Sequence, residues 1–438
     1  MNKKTILHFV THTLLLGLVM LPAKVMATDC LTQVNDLALF EHSKANGQLR
    51  FAIDSGPAVI KVTPQMSFNQ YLSRTKALIE RRNPRGNLPC PVTTPTTAIL
   101  QLHATSVADL VAPFELPQSN SDMAILLLHG LTDSPFTFHY LAASLHQQGY
   151  NVRTVLLPGH GTAASDLTQV SIQDWQRHVA YAIEQTSEDF KQFAVLGYST
   201  GAALALSYLE QQVPDNLNAL ALISPATEPH NKHAWLAQWL DYLPFVEWID
   251  EDADLDFAKY ESFPWHGATL AHQAMAPVQA MTALPNVATF VSFSDVDTTI
   301  DNQTTAKLLK QWQQHPSNTI TPVQWLYSET QPQSNRPDVF IRRVASKLVL
   351  DMSHIGILQP PEHSYYGSNG PYRNCTSYHL DKAQFARCRL GENPVYGERH
   401  PANLKQPLPL ARITFNPDYQ DFVSALIDFF STHEDDSH

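Results

Sequence analysis

The stretch FAVLGYSTGAALAL, residues 193–206, decides how the chain is read. It contains the pattern G-x-S-x-G as Gly197, Tyr198, Ser199, Thr200 and Gly201. The apolar run 193–196 leads in, as a buried strand does, and a run rich in alanine and leucine leads out, as a helix does. A serine on the sharp turn between the two is held above the edge of a sheet in a strained backbone conformation. Side chains two positions to either side would strike the neighbouring strand or helix, which accounts for both glycines. The turn also sets the serine at a helix N-terminus, where backbone N–H groups face negative charge developing on a bound carbonyl oxygen.

Working outward, strands and helices alternate. Residues 124–130, AILLLHG, form a continuous apolar run of the kind carried by a parallel strand buried on both faces. Residues 136–148 follow as a helix, with Phe138, Leu141 and Leu145 on one face and Gly149 as its stop. Residues 151–157 read as the next strand and end in PGHGT. Ser171 and Asp174 make a capping box that opens a helix with Trp175, Val179 and Ile183 turned inward. Strands at 217–223, 287–293 and 347–350 continue the series. A helix from Asn302 buries Leu309 and Trp312, and a helix at 417–431 with Phe422, Leu426 and Phe429 on one stripe closes it. This alternation predicts an α/β fold, a mostly parallel central sheet with helices on both faces. The chain has only sixteen glycines, and Gly130, Gly159, Gly161, Gly197 and Gly201 fall just after expected strands. Loops in that position form the ligand site of an open parallel sheet.

Three segments lie outside this pattern. Residues 28–120 read as an N-terminal extension packed on the main domain, 121–438. It has a helix near 67–82 and an apolar stretch at 110–116 suited to a strand. Residues 225–285 interrupt the sheet as a helical insertion, with Leu236, Trp239, Leu240 and Leu243 on one face and Trp235, Trp248 and Trp265 adding aromatic bulk. The segment leaves and re-enters at the edge that carries the loops, so it is expected to form a cap with an apolar inner wall. The acidic run Asp250, Glu251, Asp252 and Asp254 reads as its solvated surface. Residues 359–412 look like an irregular insertion, and Tyr365, Tyr366, Tyr372 and Tyr378 suit it to a wall of the substrate cleft.

Composition narrows the setting. A hydrophobic content of 44% over 438 residues supplies a substantial core. The formal net charge of −12 argues against nucleic acid or an anionic membrane as partner. Residues 1–27 read as a secretory signal peptide, with Lys3 and Lys4 as a basic start, a short apolar centre and small residues at Val25 and Ala27 before the cut. The apolar run is short for a membrane anchor. All four cysteines follow that cut. In an exported chain they predict two disulfides, and proximity in sequence favours Cys30–Cys90 and Cys375–Cys388. Neither cysteine nor histidine spacing suits a metal site.

A serine hydroxyl is a weak nucleophile, so the elbow requires a base and the base an orienting acid. In this fold they follow in the order Ser, Asp, His, each just past a strand. His354, in DMSH after the strand expected at 347–350, fits the base, with His363 and His379 as competitors inside the insertion. The acid lies in SFSDVDTTID as Asp295 or Asp297, with Asp301 better suited to cap a helix. Backbone N–H groups of Thr200 and Leu131 are the expected oxyanion donors. His129 and His160 read as structural residues of their loops.

At these residues the chain resembles the α/β-hydrolase superfamily, and within it the bacterial carboxylesterase and monoacylglycerol lipase group, which includes serine aminopeptidase-like members. The motifs that carry the resemblance are LLLHGLTDSP, LLPGHGT, LGYSTG, the S-x-x-D-x-x-I reading of residues 294–300, and DMSHIGIL. The family's acid loop reads G-x-x-D-x-x-V, which implies Asp297 as the acid, although Ser294 stands where glycine is usual. The resemblance spans about 124–358 plus the last helix. It implies a serine hydrolase acting on carboxylic esters of acyl or lipid type through an acyl-enzyme, without a cofactor. An aminopeptidase-like hydrolase or acyltransferase on the same scaffold is the alternative, and a non-catalytic binding protein is the rival of another class. The aminopeptidase would use the acidic run at 250–254 to hold a substrate amine.

Overall fold

An eight-stranded sheet organises the protein, its strands lying side by side in the order 115–116, 151–155, 123–128, 192–198, 217–223, 288–294, 323–327 and 339–342. The computed structural model describes residues 28–434 apart from 33–36, 104, 242, 244–246, 379 and 392–393, so the expected signal peptide and His379 lie outside the described residues. The strands are β1 (Glu115–Leu116), β2 (Met123–Leu128), β3 (Asn151–Val155), β4 (Gln192–Tyr198), β5 (Leu217–Ile223), β8 (Ala288–Ser294), β9 (Val323–Tyr327) and β10 (Val339–Arg342). Only β1 runs antiparallel to its neighbour. Alternate residues of the central strands divide between two cores. Ala124, Leu126, Leu128, Phe193 and Val195 face Trp175, Val179, Leu204 and Leu270 of the helices Ile172–Asp189, Thr200–Gln211 and Trp265–Ala280. Met123, Ile125, Leu127, Ala194 and Leu196 face Leu141, Leu145, Phe422 and Leu426 of the helices His139–Gln147 and Tyr419–Thr432. The two-residue period of a strand makes this division, and it buries the middle strands on both sides.

The expected order of elements holds through β8 and then departs. Residues 347–350 form no strand of the sheet; Val349 makes an isolated bridge to Tyr396. The far edge is built instead by β9 and β10, which the sequence reading did not single out. Residues 110–116 are a strand only at Glu115–Leu116, because the capping box of Ser106 and Asp109 starts a helix at Val107–Val111.

The extension is fastened to the sheet domain at several points. Ser67 caps the helix Phe68–Arg82, which buries Tyr71, Leu78 and Ile79. The Tyr71 hydroxyl donates to the Leu156 carbonyl (3.2 Å) and accepts from the Leu156 N–H (2.8 Å). Arg82 donates to both oxygens of Asp166, at 2.8 and 2.6 Å. Both side chains are buried, so removing one partner costs about 3–5 kcal/mol. Cys30 is bonded to Cys90 and Cys375 to Cys388, as expected.

Four expectations about the inserted segments are corrected. Residues 359–412 are not irregular throughout: they hold the helix Lys382–Leu390 and the parallel pair β11 (Val395–Gly397) and β12 (Leu410–Arg412). Tyr365, Tyr366 and Tyr372 are buried against Phe136, Ile79 and Val107 rather than offered to a cleft. Segment 225–285 does hold one long helix, Trp265–Ala280, which packs on the sheet core, but the expected apolar face is not there: Trp235, Leu236, Trp239 and Leu243 are exposed, and the helix among them is one short turn, Ala237–Leu240, too short to lay a face on a core. β6 (Trp248–Asp250) and β7 (Phe263–Pro264) pair beside it. The acidic run is not a solvated surface either, since Asp252 and Asp254 are buried. Asp254 accepts from the N–H groups of Glu261 (2.9 Å) and Ser262 (2.8 Å), so its carboxylate holds its own loop. Among the described residues no helix is long and apolar enough to cross a membrane.

Candidate active site

Ser199 stands between β4 and the helix Thr200–Gln211 at φ 53° and ψ −116°. A non-glycine residue with positive φ is strained, and the tight turn imposes it. Contacts two residues either way explain the flanking glycines. A Cβ on Gly197 would come within 2.4 Å of Ala202 Cα, and one on Gly201 within 2.2 Å of the Leu128 carbonyl oxygen. The helix thus sits directly against β2, and its first N–H groups lie at the serine.

The expected side chains meet in a line. His354 Nε2 is 3.0 Å from Ser199 Oγ, and His354 Nδ1 is 2.6 Å from Asp297 Oδ2. Asp297 is acceptor-only as a carboxylate, so Nδ1 carries the proton and Nε2 presents a lone pair to the serine hydroxyl. The other oxygen of Asp297 accepts from the N–H groups of Thr299 (2.6 Å) and Ile300 (3.1 Å), which fixes the carboxylate. Asp295 is turned the other way, accepting from Ser328 Oγ beyond the end of β9. Burial raises its carboxyl above the usual range. Ser294, in place of the family's glycine, donates to the Met352 carbonyl at 2.7 Å and ties the end of β8 to the loop that carries His354. Of the competitors, His363 is buried among Phe136, Tyr140 and Tyr366, away from the serine.

The loop after β2 carries the expected oxyanion donor Leu131. Among the described residues, the N–H groups of Leu131 and Thr200 have no hydrogen-bond acceptor. Thr132, at φ 61°, donates its N–H to His160 Nε2 (3.0 Å) and accepts at its carbonyl from the Tyr260 N–H (2.9 Å). Burial pushes His160 down to about 3 and His129 to about 4, so both are neutral. His129 Nε2 accepts from the Leu157 N–H (3.0 Å), leaving Nδ1–H to donate to the Gly130 carbonyl (2.8 Å). The two histidines therefore brace loops, as read from the sequence. Two charged groups not singled out by any motif, Glu398 and Arg412, also reach the loops carrying Asp297 and His354. Among the described residues no cluster of His, Cys, Asp or Glu suits a metal ion.

Sheet order, elbow and residue order define the class: the chain has the α/β-hydrolase fold and resembles its carboxylesterase and monoacylglycerol lipase group. More particularly, residues 119–250 match the family model described as serine aminopeptidase, S33. The chain is 32% identical over 96 residues to a thermostable monoacylglycerol lipase of Bacillus sp. (strain H-257), covering 22% of this chain and 38% of that one. It is 30% identical over 98 residues to a carboxylesterase of Bacillus subtilis (strain 168), covering 22% and 40%. It spans less than half the length of either relative. Among solved structures, the Paleococcus ferrophilus monoacylglycerol lipase is similar at a TM-score of 0.38 and 16% identity, covering 48% of this chain and 88% of that one.

Proposed function

We propose that this protein is an exported serine hydrolase that cleaves carboxylic esters of acyl or lipid type through an acyl-enzyme. The observation that carries the reading is the continuous relay from Asp297 through His354 to Ser199, with both bonds within hydrogen-bonding distance. Ser199 Oγ attacks the ester carbonyl while His354 Nε2 takes its proton. The carbonyl oxygen becomes an oxyanion and is met by the free N–H groups of Leu131 and Thr200. Collapse expels the alcohol, which leaves with the proton from His354. Water then attacks the acyl-enzyme by the same steps and releases the acid. No cofactor enters this scheme. Export accords with the two disulfides.

The family description keeps an aminopeptidase reading in view. That reading needs carboxylates open to a substrate ammonium. Asp252 and Asp254 are buried, and Glu251 is paired with Arg50 at 2.6 Å, which favours the ester. The test is a panel of p-nitrophenyl esters of rising chain length beside aminoacyl anilides, run on wild type and S199A. Ester turnover is expected in wild type, with S199A lower by about 10⁴–10⁶ and a fluorophosphonate probe on Ser199 alone. Turnover confined to the anilides selects the peptidase; a probe mapped to another serine, or to none, refutes the serine assignment.

A further inference from the structure

The insertion 359–412 reaches the reacting groups' loops through one buried carboxylate. Glu398 follows β11 and is fully buried. Its Oε1 accepts from Thr298 Oγ1 (2.9 Å) and from the Arg399 N–H (2.7 Å). Its Oε2 accepts from the His354 N–H (3.3 Å) and from Arg412 Nη2 (2.8 Å). The same Arg412 nitrogen donates to Thr299 Oγ1 at 2.7 Å. Thr299 is the residue whose N–H holds Asp297 Oδ1. One ion pair therefore touches the backbone of His354 and both residues that follow Asp297. Burial alone would raise the Glu398 carboxyl; the Arg412 guanidinium outweighs it and holds the group down at about 2, so the pair is ionised throughout the neutral range.

Stability is a weak reason for such a pair, because a well-packed apolar substitute of the same volume serves about as well. The His354 segment is gripped by the same element. Leu350 N–H donates to the Tyr396 carbonyl and Tyr396 N–H to the Leu348 carbonyl, both at 2.8 Å, and Asp351 accepts from the Glu398 N–H at 2.7 Å. Residues 347–350 stand off the main sheet, so the insertion takes over the bracing that a strand neighbour would give the loop before His354.

We propose that Glu398 and Arg412 are positioning residues, setting both the geometry and the local charge at the Asp297–His354 pair. The proposal rests on the ester-hydrolase reading above. The other charged or titratable groups around Glu398 and Arg412 are Asp297 from the loop after β8, Tyr198 from β4, Asp351 from the segment before His354, and Arg399 after β11, with His400 bonded to Asp351 behind them. All of them persist in the variants below.

The test compares kcat, KM and the kcat/KM–pH profile of wild type, E398Q and E398Q/R412M on a p-nitrophenyl ester, with thermal melting of each. In E398Q the Arg412 cation is uncompensated, since arginine stays charged. A nearby cation disfavours the protonated imidazole, so the acidic limb of the profile moves to lower pH, by about half to one pH unit. Turnover falls about ten- to hundredfold with KM little changed, as loss of alignment predicts. In E398Q/R412M the charge is removed, the limb returns towards wild type, and turnover stays low. A pair that merely staples the insertion moves neither limb. An E398Q profile superposable on wild type, or one shared by the single and double variants, overturns the proposal while Ser199 of the wild type remains active and labelled. A wild type that turns over no ester, with Ser199 unlabelled, overturns the underlying reading and the proposal with it. Should E398Q not fold, T298V removes only one hydroxyl from the carboxylate. A loss of kcat at constant KM supports the proposal, and a wild-type kcat overturns it.

Discussion

Ser199 and His354 were legible in the sequence because each carries its context with it. The serine has an apolar strand before it, a helix after it and a glycine two residues to either side. The histidine follows a short apolar run, Leu348–Leu350, in DMSH. Asp297 was favoured over Asp295 only through the family's acid-loop pattern, since both follow β8 and both are acidic. What separates them in space is Ser328, which occupies Asp295 from the end of a strand that the sequence did not reveal. Glu398 and Arg412 were illegible for a plainer reason: they lie 14 residues apart in a stretch without periodicity, and their partners are 44 and 113 residues away. The acid assignment has a direct check. D297N removes the carboxylate that fixes the His354 tautomer, and turnover is expected to fall by about 10³–10⁴. D295N loses only a bond to Ser328, with an expected effect below about tenfold. Steady-state kinetics of the two variants decide it, and a more damaging D295N reverses the roles.

Elements with one clear period were read correctly, and those with mixed period were not. β2 is apolar throughout, and β4 and β5 are so apart from Gln192 and Asn218, because both faces are covered. β9, VQWLY, places Gln324 and a half-buried Val323 beside buried Trp325 and Leu326, so its signal falls between an alternating and a continuous run. β10 is shorter still and ends in Arg342, which pairs with Asp418. The insertion hid its order because its stability comes from cross-links rather than periodicity. Cys375–Cys388 ties the helix Lys382–Leu390 beside Asn374, whose carbonyl accepts from the Arg412 N–H at 2.9 Å. A bridge closing so short a loop stabilises by about 3 kcal/mol in the chain-entropy model. C375S/C388S is therefore expected to expose residues 365–396 to limited proteolysis and to lower kcat as the bracing of His354 loosens. Rapid cutting of the oxidised wild type in that stretch, with ester kinetics unchanged, counts against this account.

On the scale of the whole molecule, extension, segment 225–285 and insertion meet over a set of buried carboxylates. Arg50 and Arg85 of the extension donate to the carbonyls of Asp252 (3.3 Å), Leu255 (3.2 Å) and Asp256 (2.9 Å). Tyr366 of the insertion donates to Asp256 at 2.8 Å. Burial, outweighing Lys259, pushes the Asp256 carboxyl up to about 6 from an ordinary value of 3.8. A carboxyl raised in the folded state contributes stability below its unfolded value and loses it as pH rises through the folded one. That window runs from about pH 4 to 6 and spans up to about 3 kcal/mol. D256N does not titrate, so its Tm is expected to gain on that of wild type between pH 4 and 7; a constant gap across that range refutes the assignment. The cystines carry a consequence for manufacture in the cell. Each joins consecutive cysteines, Cys30 to Cys90 and then Cys375 to Cys388. A chain delivered N-terminus first into an oxidising compartment presents each thiol with its proper mate next in line. If the chain is exported as proposed, an oxidant is therefore expected to complete the pairing with little need of isomerisation.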